Sequence, residues 1–536
     1  MIESSKDAGE GAGTGLDRRS FLGLTGISLA AFSLGIAAPG DAVAVAAGPV
    51  PADPFRLGVA SGDPEPTSVA LWTRLAPEPL AADGHGGMPR RPVDVHYEVA
   101  EDERFTRVVR RGRAVATPEL AHAVHPEVHG LRPGREYFYR FRAGNQISPV
   151  GRTRTAPGPR ENPDRLTFAM ASCQAWYHGH FTAYKHLAAD DVDMVFFLGD
   201  YIYEYAINAN NLWREGVQVD RIHDAETQTL EQYRLRYALF KTDPHLLAAH
   251  AAAPWVSTWD DHEVQNNYAD VYSQYGISVE DFERRRSVAY RAYYENLPLR
   301  ATSLPRGPDM KLYRRMKWGR LAEFSVLDTR QYRDNFPTDS TAGGEHTDPR
   351  RSILGAEQER WLTDGLRRSD ATWNVLAQQV VMAQIDRDTG PGKTFSMDIW
   401  DGFSANRDRL LGAVQRYGVD NLLVLTGDIH RHVAAELKAN FNDPASATIG
   451  TELVVGSIGS DGDGAPTDAY TELWLSNQHV KFYDGRRGYV RCTMTPEELT
   501  SEYRVVDYIR KDDKAPVSTI ATFVTEAGRP GLVRAS

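Results

Sequence analysis

The sequence predicts an α/β fold preceded by a small all-β domain, and three observations carry that prediction. From Asp164 onward, short apolar runs alternate with segments of helical length, the pattern of a layered α/β domain. Before it, from Phe55 to about Pro157, short alternating segments are punctuated by Gly and Pro, as in an all-β domain. Four of the later apolar runs end in residues able to bind a metal ion, and ligands of open α/β sheets gather at the carboxyl ends of strands.

Composition sets the outer limits. The 536 residues, 41% hydrophobic and 25% charged, describe an ordinary globular chain with room for two or three domains. The net charge is -11, of which the leader over 1–46 contributes -2 through five acids and three bases. An acidic body argues against binding nucleic acid or anionic lipid through bulk charge, and no specific nucleic-acid binding is expected. A phosphate substrate stays compatible, because bound cations reverse the local field. The two cysteines, Cys173 and Cys492, are too few for a disulfide framework. A single bridge and a ligand role for Cys173 are the open alternatives, and its position at a strand end favours the ligand.

Taken in order, the chain begins with Asp17-Arg18-Arg19-Ser20-Phe21-Leu22, then a weakly apolar stretch through Ala38 and small residues at Ala42, Val43 and Ala44 or Ala46. This resembles a twin-arginine signal peptide over 1–46. The resemblance implies the twin-arginine translocation machinery as a partner and a secreted, extracytoplasmic protein without a stable membrane span in its mature form. A membrane anchor is the alternative, since Phe21 to Ala38 is nearly long enough to span. Gly23, Thr25, Gly26, Ser28, Ser33 and Gly35 dilute that stretch.

Pro49 to Pro54 reads as a linker, and 50–158 as an N-terminal β-sandwich domain. Ser68 to Thr73 and Val93 to Val99 are its strand candidates, and Leu131 to Phe141 resembles the turn and strand of a fibronectin-type-III-like domain. After a second linker, Ala156 to Pro163, the catalytic domain and its C-terminal tail are expected over 164–536. Helix candidates are Phe181 to Ala189, Leu230 to Leu239, Val279 to Tyr294 and Ala356 to Arg368. The strands are nearly continuous apolar runs, as strands buried on both faces should be. The tail after about Asp512 reads as an added edge strand or a cover for part of the site.

The four loaded strand ends are the core of the functional reading. Leu166 to Ala171 runs into Ser172-Cys173-Gln174, and Met194 to Leu198 into Gly199-Asp200-Tyr201-Ile202-Tyr203. Trp255 to Trp259 leads to Asp260-Asp261-His262-Glu263, and Leu422 to Leu425 to Thr426-Gly427-Asp428-Ile429-His430. Alone, each residue has an ordinary reading. Cys173 would be a small buried hydrophobe, Asp200 a turn cap, and Tyr203 a half-buried aromatic. Asp260 and Asp261 are adjacent, so on an extended segment only one faces a given site.

In this order the segments resemble the metallophosphoesterase superfamily, with Gly199-Asp200 matching its second motif and Tyr203 falling in the Gly-Asp-x-x-Tyr spacing of purple acid phosphatases. The departures resemble a narrower group, the PhoD-type alkaline phosphatase and phosphodiesterase family. They are Ser172-Cys173-Gln174 for Asp-x-His, Asp260-Asp261 before the His-Glu, Asp428 for the first His of Gly-His-x-His, and Asn266-Asn267 downstream. The resemblance implies a metallophosphoesterase-like β-sheet sandwich flanked by helices. It also implies hydrolysis of phosphomonoesters and phosphodiesters by attack of metal-activated water on phosphorus.

Cys173, Asp200, Tyr203 and His430 offer a thiolate, a carboxylate, a phenolate and an imidazole, a donor set suited to Fe3+. Asp260 and Asp428, with Asp200 as a bridge, form an oxygen-rich site. The resemblance implies Ca2+ there, one or two ions, with Mn2+, Mg2+ or Zn2+ as alternatives. The superfamily's lone His, expected near Val380, is missing, and only Gln378 and Gln379 stand in its place. His262 is the candidate to protonate the leaving oxygen, and Arg300 the candidate phosphate clamp. Asp260 is chosen over Asp261 by alignment with the superfamily motif. Asp398 to Gly402 is a candidate substrate wall, Arg284-Arg285-Arg286 a solvated helix face, and His178, His180 and His432 outlying histidines. A monomer acting on phosphate esters is expected. The alternatives are a phospholipase D-type phosphodiesterase for phospholipid headgroups and a noncatalytic cell-wall or polymer-binding protein.

Overall fold

The structure, a computed structural model, describes residues 53–536 apart from 342 and 444. The expected signal peptide over 1–46 lies outside the described residues, and no described helix is long and apolar enough to cross a membrane.

Two β-sheets face each other and carry helices on their outer surfaces. In the larger sheet, Leu166–Ala171, Met194–Leu198 and Trp255–Thr258 run parallel side by side. In the smaller, Ala322–Val326, Trp373–Ala377, Leu422–Thr426 and Thr448–Val454 do the same. The strands are mostly apolar and almost wholly buried because both faces are covered, and alternate residues enter different layers. Phe168, Met170, Phe196 and Leu198 meet Phe324, Val375, Leu423 and Leu425 between the sheets. Their neighbours Ala169, Val195 and Phe197 face Tyr184, Tyr237 and Leu246 of the outer helices, while Leu422 and Val424 face Leu362, Leu410 and Leu411 on the far side. Cys492 lies in the inter-sheet core, and both cysteines are free and buried.

The helices begin where their caps allow. Thr229 and Gln232 form a capping box at the start of Leu230–Phe240, and Ser278 caps Val279–Asn296. Thr182–Ala189 and Gly355–Arg368 complete the four helices the sequence predicts. Arg284-Arg285-Arg286 is a correction. Only Arg284 is solvated, whereas Arg285 and Arg286 are buried, paired with Glu226 and Asp270. Arg285 also donates to Tyr233 Oη at 2.9 Å.

Before residue 158, two β layers enclose a core of Val69, Leu71, Val95, Val99, Tyr139 and Phe141. One layer, Val59–Gly62 and Ser68–Arg74, continues the large sheet beyond Trp255–Thr258. The other, centred on Val93–Ala100 and Glu136–Ala143, is a sheet of five strands. At the opposite edge, Val517–Glu526 and Arg529–Arg534 add antiparallel strands beyond Glu498–Val506, so the tail extends the large sheet.

Candidate metal centre

Each candidate donor stands just past the carboxyl end of a parallel strand, on a backbone that turns sharply back toward the rim. Cys173, Asp200, Asp428 and His430 have φ of 58°, 60°, 70° and 56°, and Gly199 has 108°. A residue with a side chain held there costs about 1–3 kcal/mol, and such strain gathers at functional sites. Glu263, fully buried, locks two of the turns together. Its carboxylate accepts from the backbone N–H of Asp200 at 3.2 Å, Tyr201 at 2.5 Å and Asp260 at 2.8 Å. The carbonyl of Cys173 accepts from the Ser457 and Ser460 hydroxyls at 2.7 and 2.9 Å.

The donors form one continuous cluster. Cys173, Asp200 and His430 bring ligand atoms within 4.8 Å of one another, as do Asp200, Asp261 and His262, and as do Asp260, Asp261 and Asp428. Tyr203 Oη is 3.2 Å from Asp200 Oδ2 and 2.9 Å from His430 Nε2. All six residues read as metal ligands, and His262, are therefore brought together. Asp200 and Asp261 each belong to two of the three groups. His430 Nδ1 lies 2.6 Å from Asp461 Oδ2, the carboxylate contact that fixes which ring nitrogen is free to bind.

Two expectations need correction. Asp261 joins Asp260 in the cluster because the chain leaves its strand at Thr258 and turns, with Val264 and Gln265 N–H donating to the Asp261 carbonyl. Arg300 is elsewhere. Its guanidinium holds Glu127 at 2.8 Å, the Asp63 carbonyl at 2.7 Å and Ser68 Oγ at 3.0 Å, where the N-terminal strands join the sheet. Gln378 and Gln379 spend their amides on the sheet ends, Gln378 on Thr426 Oγ1 and Gln379 on Thr258 Oγ1, each at 2.6 Å.

The electrostatics call for a cation. Burial, reinforced by neighbouring carboxylates, pushes the Asp200 and Asp428 carboxyls well above their ordinary range, and Asp260 up to about 6. Burial and then Asp200 drive the Cys173 thiol and the Tyr203 phenol the same way. Burial opposes charge on His262, but Asp261, Glu204 and Asp200 outweigh it and push its pKa well above the ordinary imidazole range. Asp260 Oδ2 and Asp261 Oδ1 are buried without a hydrogen-bond partner. Orphaned buried carboxylate oxygens cost about 1–3 kcal/mol each or more, and a metal ion satisfies them. The sulfur, phenol, imidazole and carboxylate donors therefore fit bound metal.

Comparison with known proteins agrees with this geometry. Residues 168–503 match the model of the PhoD-like phosphatase, and 42–157 match its N-terminal domain. Alkaline phosphatase D of Bacillus subtilis (strain 168) is 48% identical over 527 residues, 97% of this chain and 89% of the relative. The chain belongs to the PhoD-like phosphatase family. A solved structure described as the structure of PhoD superposes with a TM-score of 0.87 at 47% identity, covering 91% of this chain and 94% of that one. Membership makes the chain a phosphoesterase and implies that it depends on metal.

In this PhoD-like phosphatase, the residue that sequence reasoning missed is Arg330. Fully buried, its guanidinium contacts Asp260, grips Asp398 at 2.6 Å, and lies 3.7 Å from Asp261 and 3.8 Å from Asp428. Arg333 holds the same Asp398 at 2.8 Å. Asn267, with its amide turned to donate, reaches Asp398 and Asp261 at 3.1 and 3.3 Å. Glu204 accepts from His262 Nδ1 at 2.7 Å and from the Asn266 N–H at 2.7 Å, tying His262 to the Asn266-Asn267 turn. A cavity of about 240 Å³ opens beside Asp398 and Asp428.

Proposed function

We propose that this PhoD-like phosphatase hydrolyses phosphomonoesters and phosphodiesters outside the cytoplasm, at a centre holding Fe3+ and Ca2+. The observation that carries the reading is the cluster of donors with orphaned carboxylate oxygens at one rim of the sheets. Cys173, Asp200, Tyr203 and His430 would hold iron, and Asp260, Asp261 and Asp428, with Asp200, would hold the oxygen-seeking ion. When bound, such cations lower the pKa of water and neutralise charge building on the phosphoryl oxygens.

The chain's own residues supply positioning and the proton. His262 is the proton donor to the leaving oxygen. Glu204 fixes its ring through Nδ1, and Nε2 is left to face the substrate. Arg330 offsets part of the charge of Asp260 and Asp428 and, with Arg333, anchors Asp398 beside them. The arginine pair in the leader, Arg18-Arg19, supports export before the mature enzyme works.

The test is a pair of leaving groups. His262→Asn should lower kcat for phenyl phosphate roughly 100-fold and for 4-nitrophenyl phosphate less than about tenfold, because a good leaving group needs no proton. Equal losses on both would remove His262 from the acid role. Absence of turnover of both by metal-replete wild type would remove the reaction itself.

A further inference from the structure

The cavity of about 240 Å³ is built from two kinds of wall. Asp398 and Asp428 are among its lining residues, so it adjoins the carboxylate cluster. One side carries Ile385, Ile399 and Ile429, the last set between Asp428 and His430 in the motif loop. The other carries Tyr470, Leu473 and Trp474, from the short helix Thr471–Ser476 and the residue before it. Asn477 ties this helix to the isoleucine side, accepting from the Asp386 N–H at 2.9 Å and donating to the Asp386 carbonyl at 3.2 Å. Arg431 at the rim is already neutralised by Asp468 at 2.9 Å. Ser396 and the exposed Arg387 also line it, so the cavity presents a slot of apolar and aromatic side chains beside a polar mouth, next to the carboxylates where a phosphoryl group would sit.

A phosphodiester has two ester substituents, and the geometry separates places for them. His262 and Asp428 belong to separate donor groups that share Asp261, and His262 does not line the cavity. A leaving oxygen within reach of His262 is therefore placed outside the slot. We propose that the slot binds the substituent that stays on phosphorus when a diester is cleaved, and that Trp474 selects a small planar or apolar group there. The proposal rests on the phosphoesterase reading of the cluster. At about 240 Å³ the slot falls below the ~300–1,000 Å³ of drug-sized pockets, which suits one ring or a short aliphatic group. In the reaction, water's oxygen bonds to phosphorus as the bond to the leaving oxygen breaks. One proton goes to the leaving alcohol, and the product monoester keeps the substituent in the slot.

Three esters that release the same phenol test this on the metal-loaded enzyme: bis(4-nitrophenyl) phosphate, methyl 4-nitrophenyl phosphate and 4-nitrophenyl phosphate. Trp474→Ala should lower kcat/KM for the bis-aryl ester about tenfold and alter the other two by less than about twofold. Tyr470→Ala, at a side chain 47% exposed and so tolerant of truncation, should show the same pattern at about threefold. An equal loss on all three esters, or an unchanged bis-aryl rate in both variants, would overturn the proposal. Failure of the underlying reading looks different, since the wild type would then release nitrophenol from none of them.

Discussion

Glu263→Gln separates the scaffold of the metal centre from its ligands. The wild-type carboxylate accepts three backbone N–H groups from two loops, those of Asp200, Tyr201 and Asp260, with no exposure to solvent. Glutamine keeps the volume but offers one oxygen and turns an NH2 toward at least one of those donors. One buried N–H left unpaired costs about 1–3 kcal/mol. Asp200 and Asp260 are themselves donors of the cluster, so their turns shift with the lost bond, and losses of this kind lower metal affinity about 10- to 100-fold. The assay has two arms: urea unfolding of the metal-free protein, and metal retained after dialysis at defined free concentrations. The expected result is a modest loss of stability together with a large loss of retained metal. A variant that loses stability and keeps its metal would refute the claim that Glu263 sets the donor geometry.

Two further outcomes follow from groups outside the cluster. Lys241 is buried beneath Trp72, 4.4 Å from its ring, and burial lowers its pKa from 10.5 to about 7. The unfolded chain keeps that proton up to about pH 10.5, so between pH 7 and 10.5 the unfolded state binds more protons and stability rises with pH, by roughly 5 kcal/mol in all. Lys241→Met should remove this rise, so its stability advantage in urea titrations shrinks steadily from pH 7 to pH 10; a difference independent of pH would contradict the assignment. Arg300→Ala should leave kcat/KM within about twofold and cost about 2–4 kcal/mol of stability by stranding Glu127, because its partners are structural. A loss of activity at unchanged stability would restore it to the substrate site.

The strands and their loaded ends are legible because strands covered on both faces are mostly apolar, so the change to Ser172-Cys173, Gly199-Asp200, Asp260-Asp261 and Gly427-Asp428 stands out. Arg330, four residues past the end of Ala322–Val326, is not legible in this way, because Glu323 and Ser325 interrupt that strand's apolar pattern and an arginine is not a metal donor. Asp261 was discounted on the alternation of an extended strand, which had already ended at Thr258. Arg285 and Arg286 looked like one charged run, yet they share with Phe282, Ala289, Tyr290 and Tyr293 the buried stripe of Val279–Asn296. The helix Pro244–Ala252 carries its own start signal in the sequence, Asp243 followed by a first-turn proline. Arg300 could not be placed from sequence, since Glu127 and Asp63, its partners, are far away along the chain.

The most direct test of the central claim is elemental analysis of protein isolated natively without chelator, set beside Cys173→Ala. Wild type should carry iron together with calcium and show a visible band from thiolate or tyrosinate bound to ferric iron, and the variant should lose iron and the band while calcium persists. Wild type that arrives colourless, with neither metal above background, would contradict the assignment of the cluster.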